Sequence, residues 1–312
     1  MKRLPALVLL AGALAALSGQ ALNGGQSAQP FVGVTYFDRI ETQPRPLHLH
    51  VAQIDLEAPG IRFTVSPPAG DREVMRQSTL DFLRQEHAQV AINAHYFLPF
   101  PSPDPTAWVL GLGASEGRVF SAFESPEQSY ALVAYGPALN IDRDNHASIV
   151  HHDALFADDK HVREPVTLWN VVAGSSQIVS GGRASVPVYR DDNHFDGELD
   201  PGGPNNYSND KAWADATTAR TAIGLSKDRR TLTLFTVDVR GQSEGMRLSE
   251  VAALLIRDFA VYDALNLDGG GSTTMAMEGA NGDASIVNVS SDNPAGRVVA
   301  TSLAVFAQRR ER

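Results

Sequence analysis

Between Arg220 and Asp238, two β-prone runs, Thr221-Ala222-Ile223-Gly224-Leu225 and Thr231-Leu232-Thr233-Leu234-Phe235-Thr236-Val237, flank the polar turn Lys227-Asp228-Arg229-Arg230. Such a pattern predicts an antiparallel hairpin. Folded about that turn, the strands set Arg220 opposite Asp238 to within one residue of register. After Arg240-Gly241, the segment Leu248 to Phe259 aligns Val251, Leu254, Leu255 and Phe259 on one helical face, with Glu250 near its start. The apolar, β-prone run Ala260 to Leu267 then predicts a buried strand that ends at Asp268. Two strand ends can thus gather Arg220, Asp238 and Asp268.

Asp268 opens the run Asp268-Gly269-Gly270-Gly271-Ser272-Thr273-Thr274. Glycines let a backbone approach a ligand closely, and successive N–H groups can form an anion-binding nest. A phosphate-binding P-loop needs a Lys after its last glycine, and Ser272 stands there instead. A dinucleotide fingerprint needs spaced glycines opening a helix, whereas Thr273-Thr274-Met275-Ala276-Met277 reads as a strand. Nucleotide binding is disfavoured on both counts.

The chain of 312 residues is long enough for one large or two small domains, with an ample core in either case. Met1-Lys2-Arg3, the apolar run Leu4 to Leu17 and the small residues up to Ala28 have the zones of a secretory signal, so residues 1–28 are expected to be a leader. No second stretch approaches the ~20 apolar residues of a membrane span. The expected mature protein, 29–312, is therefore exported, to a periplasm or the extracellular space, and has no membrane span. With no cysteine in the chain, disulfides, thiolate metal sites and a cysteine nucleophile are excluded. A net charge of −10 argues against nucleic-acid partners, which need Lys and Arg to neutralise phosphates.

Along the chain, Leu47 to Leu56 alternates as a strand, with His48 and His50 on one face. Two histidines so spaced suit zinc only if a third ligand exists, and the sequence does not supply one nearby. Ser78-Thr79-Leu80-Asp81 predicts a capped helix start and an end near His87. The strand Gln89 to Asn93 follows and delivers Asn93, His95 and Tyr96 to its exit. The proline-rich stretch Pro99 to Thr106 suits a rim or lid. Gly113-Ala114-Ser115-Glu116-Gly117 has the letters of a serine-hydrolase elbow, but the next residues read as a strand, so Ser115 is assigned to a hairpin. His151-His152-Asp153 is expected on the surface. Residues 190–215 read as an acidic, solvated insertion whose spacing fits no EF-hand.

Taken as a set, Asn93-Ala94-His95-Tyr96-Phe97, Arg220-Thr221-Ala222-Ile223-Gly224, Val237-Asp238-Val239-Arg240, Ser243-Glu244-Gly245-Met246 and Asn266-Leu267-Asp268-Gly269-Gly270-Gly271-Ser272 resemble the signature of the phosphodiester glycosidase family. The resemblance runs from about Val34 to Ala307 and includes Val287-Asn288 and Arg297-Val298-Val299-Ala300. Ala94 and His95 stand where the family has glycines, and Val239 replaces the glycine of its Asp-Gly-Arg. The resemblance implies a single α+β catalytic domain, with mixed, largely antiparallel sheets and a few packed helices. It also implies an exported hydrolase that cleaves the glycosyl–phosphate bond of a sugar-1-phosphodiester or phosphoglycan. The expected catalytic residues are Asp268, Asp238 and Arg220, the last as a phosphate clamp. Asn93, His95, Asn266, Gly269, Gly270, Gly271, Ser272 and Thr273 are the expected substrate contacts. Asp238, Asp268 and the acidic loop offer oxygens suited to calcium or magnesium, without a spacing that defines a metal site. The alternative is an envelope glycan-binding protein that keeps the fold without the reaction.

Overall fold

The alternating pattern of Leu47–Asp55 buries both faces of a strand, and this strand anchors the largest sheet of the computed structural model. The structure describes residues 25–124, 135–186, 214, 216–289 and 293–310. The leader lies outside them up to residue 24, as does the acidic insertion apart from Ala214 and Ala216 onward. Strands Gly25–Phe31 (β1), Val34–Glu41 (β2) and Leu47–Asp55 (β3) lead an eight-stranded sheet. It continues through Thr231–Val237, Arg220–Ser226, Val261–Asn266, Ser176–Ser180 and Arg183–Ala184. All its pairings are antiparallel. The hairpin expected from the sequence is present, with Arg220 opposite Val237, one residue from Asp238.

One face of this sheet presents Ala52, Ile54, Ile223, Leu225, Leu232, Leu234 and Leu265 to the main core. The same core takes Val90 and Ile92 from a five-stranded sheet ordered Ala284–Ile286, Met275–Glu278, Val90–Asn93, Ser302–Phe306, Arg62–Val65. The other face presents Leu49, Val51, Ala222, Phe235 and Ala264 to the helix Leu248–Phe259. That helix buries Val251, Leu254, Leu255 and Phe259, as its periodicity requires. Its first turn is held by the Arg247 N–H, which donates to Glu250 at 2.8 Å. The other α-helix, Thr79–Glu86, starts at Ser78, whose hydroxyl accepts from the Asp81 N–H at 3.1 Å, and stops at His87 in a left-handed conformation.

The fold class is a correction to the sequence reading. Among the described residues only these two α-helices occur, against three large sheets, so the domain is mainly β. The capping pattern at Ser78 and the apolar periodicity of Leu248–Phe259 identified these two helices, and the sheets supply the rest of the domain.

Ser115 ends the strand Gly113–Ser115, and the hairpin turns at Glu116 and Gly117, both at positive φ. Its hydroxyl is buried and donates to the Val65 carbonyl at 2.7 Å, so no nucleophile elbow forms. Fluorophosphonate should leave the protein unlabelled, and Ser115→Ala should lower the unfolding free energy in urea by about 1 kcal/mol.

Candidate active site

The crossing from the eight-stranded sheet to the five-stranded sheet is made by Leu267 to Thr274. Leu267 N–H still donates to Thr221 at 2.9 Å, while the next N–H, of Asp268, reaches Ala94 at 3.0 Å. Asn93 fixes this crossing. Its Nδ2 donates to the Asp268 carbonyl at 2.6 Å, and its Oδ1 accepts from the Thr221 hydroxyl at 2.9 Å and the Thr274 N–H at 3.0 Å. Fully buried, Asn93, an expected substrate contact, is placed here as a brace between sheets.

Gly269 comes so close to Ala219 that a Cβ would sit 2.9 Å from its carbonyl oxygen. Gly270 takes φ +56°, and a Cβ there would meet nothing within 4 Å, so open space lies above the loop. The N–H groups are largely used internally: Gly269 bonds the Asp268 carboxyl, Gly270 donates to Ala219 at 2.8 Å, and Ser272 donates to Gly269 at 3.1 Å. The glycines therefore shape the loop and clear the space above it; the Gly269 and Gly270 amides do not form an outward nest. Thr273 is buried beneath, where its hydroxyl meets that of Thr221 at 3.3 Å.

Asp268 remains partly accessible at this opening. Burial of its carboxyl pushes its pKa up to about 7, against the opposing pull of a hydrogen bond with Ser272, the Arg297 cation and the Gly269 N–H. Arg297 completes a short chain of polar groups, because its Nη1 donates to the Ser272 hydroxyl at 3.1 Å. The same guanidinium lies 4.6 Å from the ring centroid of Phe100, which the proline-rich segment presents at the rim. Arg76 secures that segment by donating to the carbonyls of Pro99 and, at 3.0 Å, Ser102.

Tyr96 forms another wall. Its pKa is raised by burial and then by the Asp268 charge. Asn266 Nδ2 donates to the Tyr96 and Ser175 hydroxyls, at 2.8 Å each, and leaves its buried Oδ1 as an acceptor with no partner among the described residues.

Three further expected residues stand behind these walls. His95 is fully buried; Ala173 donates to its Nε2 at 2.9 Å, which Leu112 O approaches to 3.1 Å, and its Nδ1 meets the Thr301 hydroxyl at 2.7 Å. Burial lowers its pKa to about 4, leaving a neutral structural imidazole. Asp238 is also fully buried and accepts from Asn288 Nδ2 and the Val289 N–H at 3.0 Å each. Asn288 Nδ2 also donates to Thr273 O at 3.1 Å, so Asp238 supports the glycine loop from below. Arg220 donates to the carbonyls of Met246 at 3.1 Å and Ala216 at 2.6 Å. Among the described residues, no ion pair joins Arg220 to Asp238: side chains of adjacent residues in a strand leave on opposite faces, and the one-residue offset in register separates the two. Arg297 and Tyr96 were absent from the expected site residues, although both lie in segments that carried the family resemblance.

A profile for phosphodiester glycosidases matches residues 86–306, the span that holds every residue of this site. The chain belongs to the phosphodiester glycosidase family. No functionally curated protein sequence matches it significantly. Three solved structures share the fold. A hypothetical protein from Synechocystis superposes with a TM-score of 0.61 at 14% identity, covering 88% of this chain and 62% of its own length. The zebrafish N-acetylglucosamine-1-phosphodiester α-N-acetylglucosaminidase catalytic domain, auto-inhibited by its pro-peptide, gives 0.59 at 21% identity, covering 91% and 88%. A Burkholderia pseudomallei protein gives 0.54 at 16%, covering 87% and 76%. No helix among the described residues is long and apolar enough to cross a membrane.

Two stability tests follow from this geometry. Asn93→Ala strands the Thr274 N–H and the Asp268 carbonyl and should cost about 2–4 kcal/mol in denaturant unfolding. Because the raised Asp268 pKa places its charging near pH 7 when folded but near 4 when unfolded, wild-type stability falls as pH rises through that window. Asp268→Asn carries no such charge, so its melting temperature should exceed that of wild type at pH 8 and converge with it only as the pH falls below about 4.

Proposed function

We propose that this protein is an exported hydrolase that cleaves the glycosyl–phosphate bond of sugar-1-phosphodiesters, with Asp268 as the reacting carboxyl group. The observation that carries the reading is the carboxyl of a part-exposed Asp268, raised by burial to about 7, one hydroxyl away from a guanidinium and beside an open glycine loop. Hydrolysis breaks the bond between the anomeric carbon and a phosphate oxygen and adds water at that carbon. Positive charge develops on the sugar while the phosphate monoester departs with its negative charge. A carboxylate beside the sugar and a cation beside the phosphate answer both demands. We assign the first to Asp268 and the second to Arg297, with Arg220 adding positive potential from behind Tyr96. Phosphate is a good leaving group, so one ionised carboxyl suffices without strong acid assistance.

The surface over Gly270 is where sugar hydroxyls would sit, with the unpartnered Asn266 Oδ1 buried in the wall behind it and Ser272 buried as the link between Asp268 and Arg297. The family match and the apolar leader, residues 1–28, support an envelope or extracellular phosphoglycan as the substrate class.

The test is release of sugar from p-nitrophenyl glycosyl-phosphodiesters but not from plain p-nitrophenyl glycosides. Asp268→Asn should reduce turnover by about a hundredfold to ten-thousandfold while the far-UV circular dichroism stays native. Full activity in that variant sinks the assignment. The profile of kcat/KM should rise with pH through a midpoint near 7, since Asp268 acts ionised. Arg297→Ala removes a cation that favours the ionised form, so its midpoint should move above that of wild type and KM for the diester should increase. An unchanged profile in that variant would deny Arg297 its role.

A further inference from the structure

His48 and His50 remain unexplained by this site, and the fold gives them the partners the sequence could not. Even-numbered residues of β3 share one face: Ile54 and Ala52 enter the main core, and the face then turns polar at His50 and His48. Asp38 on β2 lies in register with His50, and the next strand, Thr231–Val237, ends at Asp238 beside them. His48, His50 and Asp38 each offer one ligand atom, all within 4.8 Å of one another. The Asp238 Oδ2 lies 3.4 Å from His50 Nε2 and 3.8 Å from His48 Nδ1. Ligand atoms of a tetrahedral zinc ion bonded at ~2.0–2.1 Å stand about 3.4 Å apart, so the spacing suits such an ion.

The second, independent observation is His50 itself. Its ring is fully buried, and its Nε2 has no hydrogen-bond partner among the described residues although it faces the Asp238 carboxylate. Its other nitrogen is held at 2.7 Å by the Tyr36 hydroxyl, and His48 Nε2 is held at 2.7 Å by Asp38. Hydrogen bonds of this kind orient imidazoles around metals. A second arrangement, of Asp142, Asp144 and His146, lacks such a group: Asp142 accepts from the backbone N–H groups of its own turn.

We propose that this corner binds one divalent transition-metal ion, zinc foremost, through His48 and His50 with the carboxylates of Asp38 and Asp238 against them. Two imidazoles and oxygen donors favour zinc over calcium or magnesium, which prefer all-oxygen shells. The ion would neutralise two facing acids. Through the Asp238–Asn288–Thr273 connection it would also stiffen the support of the glycine loop. This site is separate from Asp268 and independent of the hydrolase reading.

The experiment uses untagged, chelator-treated full-length mature protein, titrated with Zn²⁺ by calorimetry and with Co²⁺ by visible absorption. His48 and Asp38 are partly open to solvent, so His48→Ala and Asp38→Asn should keep the metal-free melting temperature of wild type. Wild type should take up one zinc per chain, give the intense absorption of low-coordinate cobalt, and melt at higher temperature when loaded. Each variant should bind at least tenfold more weakly. No uptake by wild type overturns the proposal, and so does equal uptake by wild type and both variants, which would assign the metal to other surface histidines.

Discussion

The structure depends on one buried amide. Asn93 stands where the two main sheets meet, and its side chain bonds three strands or their exits at once: Thr221, Thr274 and the Asp268 carbonyl. Without it, the chain leaving Val261–Asn266 would have no fixed path into Met275–Glu278. A buried amide that makes three hydrogen bonds in this way favours one arrangement of the backbone, since alternatives leave unpaired groups in a low-dielectric interior. The position of Asp268 is therefore set by hydrogen bonding of its own backbone, and its side chain stays available.

That division of labour explains the electrostatics. Support for the loop comes from below, through Asp238, Asn288 and Thr273, whereas the open side carries Asp268, Ser272 and Arg297. The lower carboxylate accepts hydrogen bonds from an amide and a backbone N–H in a sealed environment. The upper one accepts from Ser272 and the Gly269 N–H beside the Arg297 cation, but desolvation outweighs them and its pKa rises. Of two acids that look alike in the chain, one braces the loop from below and the other lies on its open side. Arg220 follows the same logic as Asp238: its hydrogen bonds to Met246 and Ala216 tie the start of its strand to the segment before α-helix Leu248–Phe259.

Ala94 and His95 have a structural reading as well. Ala94 accepts the Asp268 N–H, and the His95 ring fills a closed space between Thr301, Leu112 and Ala173. Together they add packing and hydrogen bonds behind the site, while the wall next to Asp268 is built by Tyr96. His95 thus leaves the opening over Gly270 clear.

By itself the sequence determined the local elements that rest on short-range patterns: the Arg220–Val237 hairpin, the strand ending before Asp268, the helix capped by Ser78 and the helix Leu248–Phe259. These follow from periodicity of two or 3.6 and from side chains that bond their own backbone, which neighbours in sequence decide. It also singled out Asp268 as a candidate, since a carboxylate before three glycines is visible in one dimension. Only the tertiary structure decided which polar residues face the opening and which are buried as braces. Asn93, His95 and Asp238 sit at strand ends just as Tyr96 and Asp268 do, and the side on which each emerges depends on how two sheets cross. Arg297 and Phe100 meet over that crossing from segments far apart in the chain, and Asp38 and Asp238 reach His48 and His50 only through strand pairing. Non-local register creates those contacts, and no local pattern encodes it.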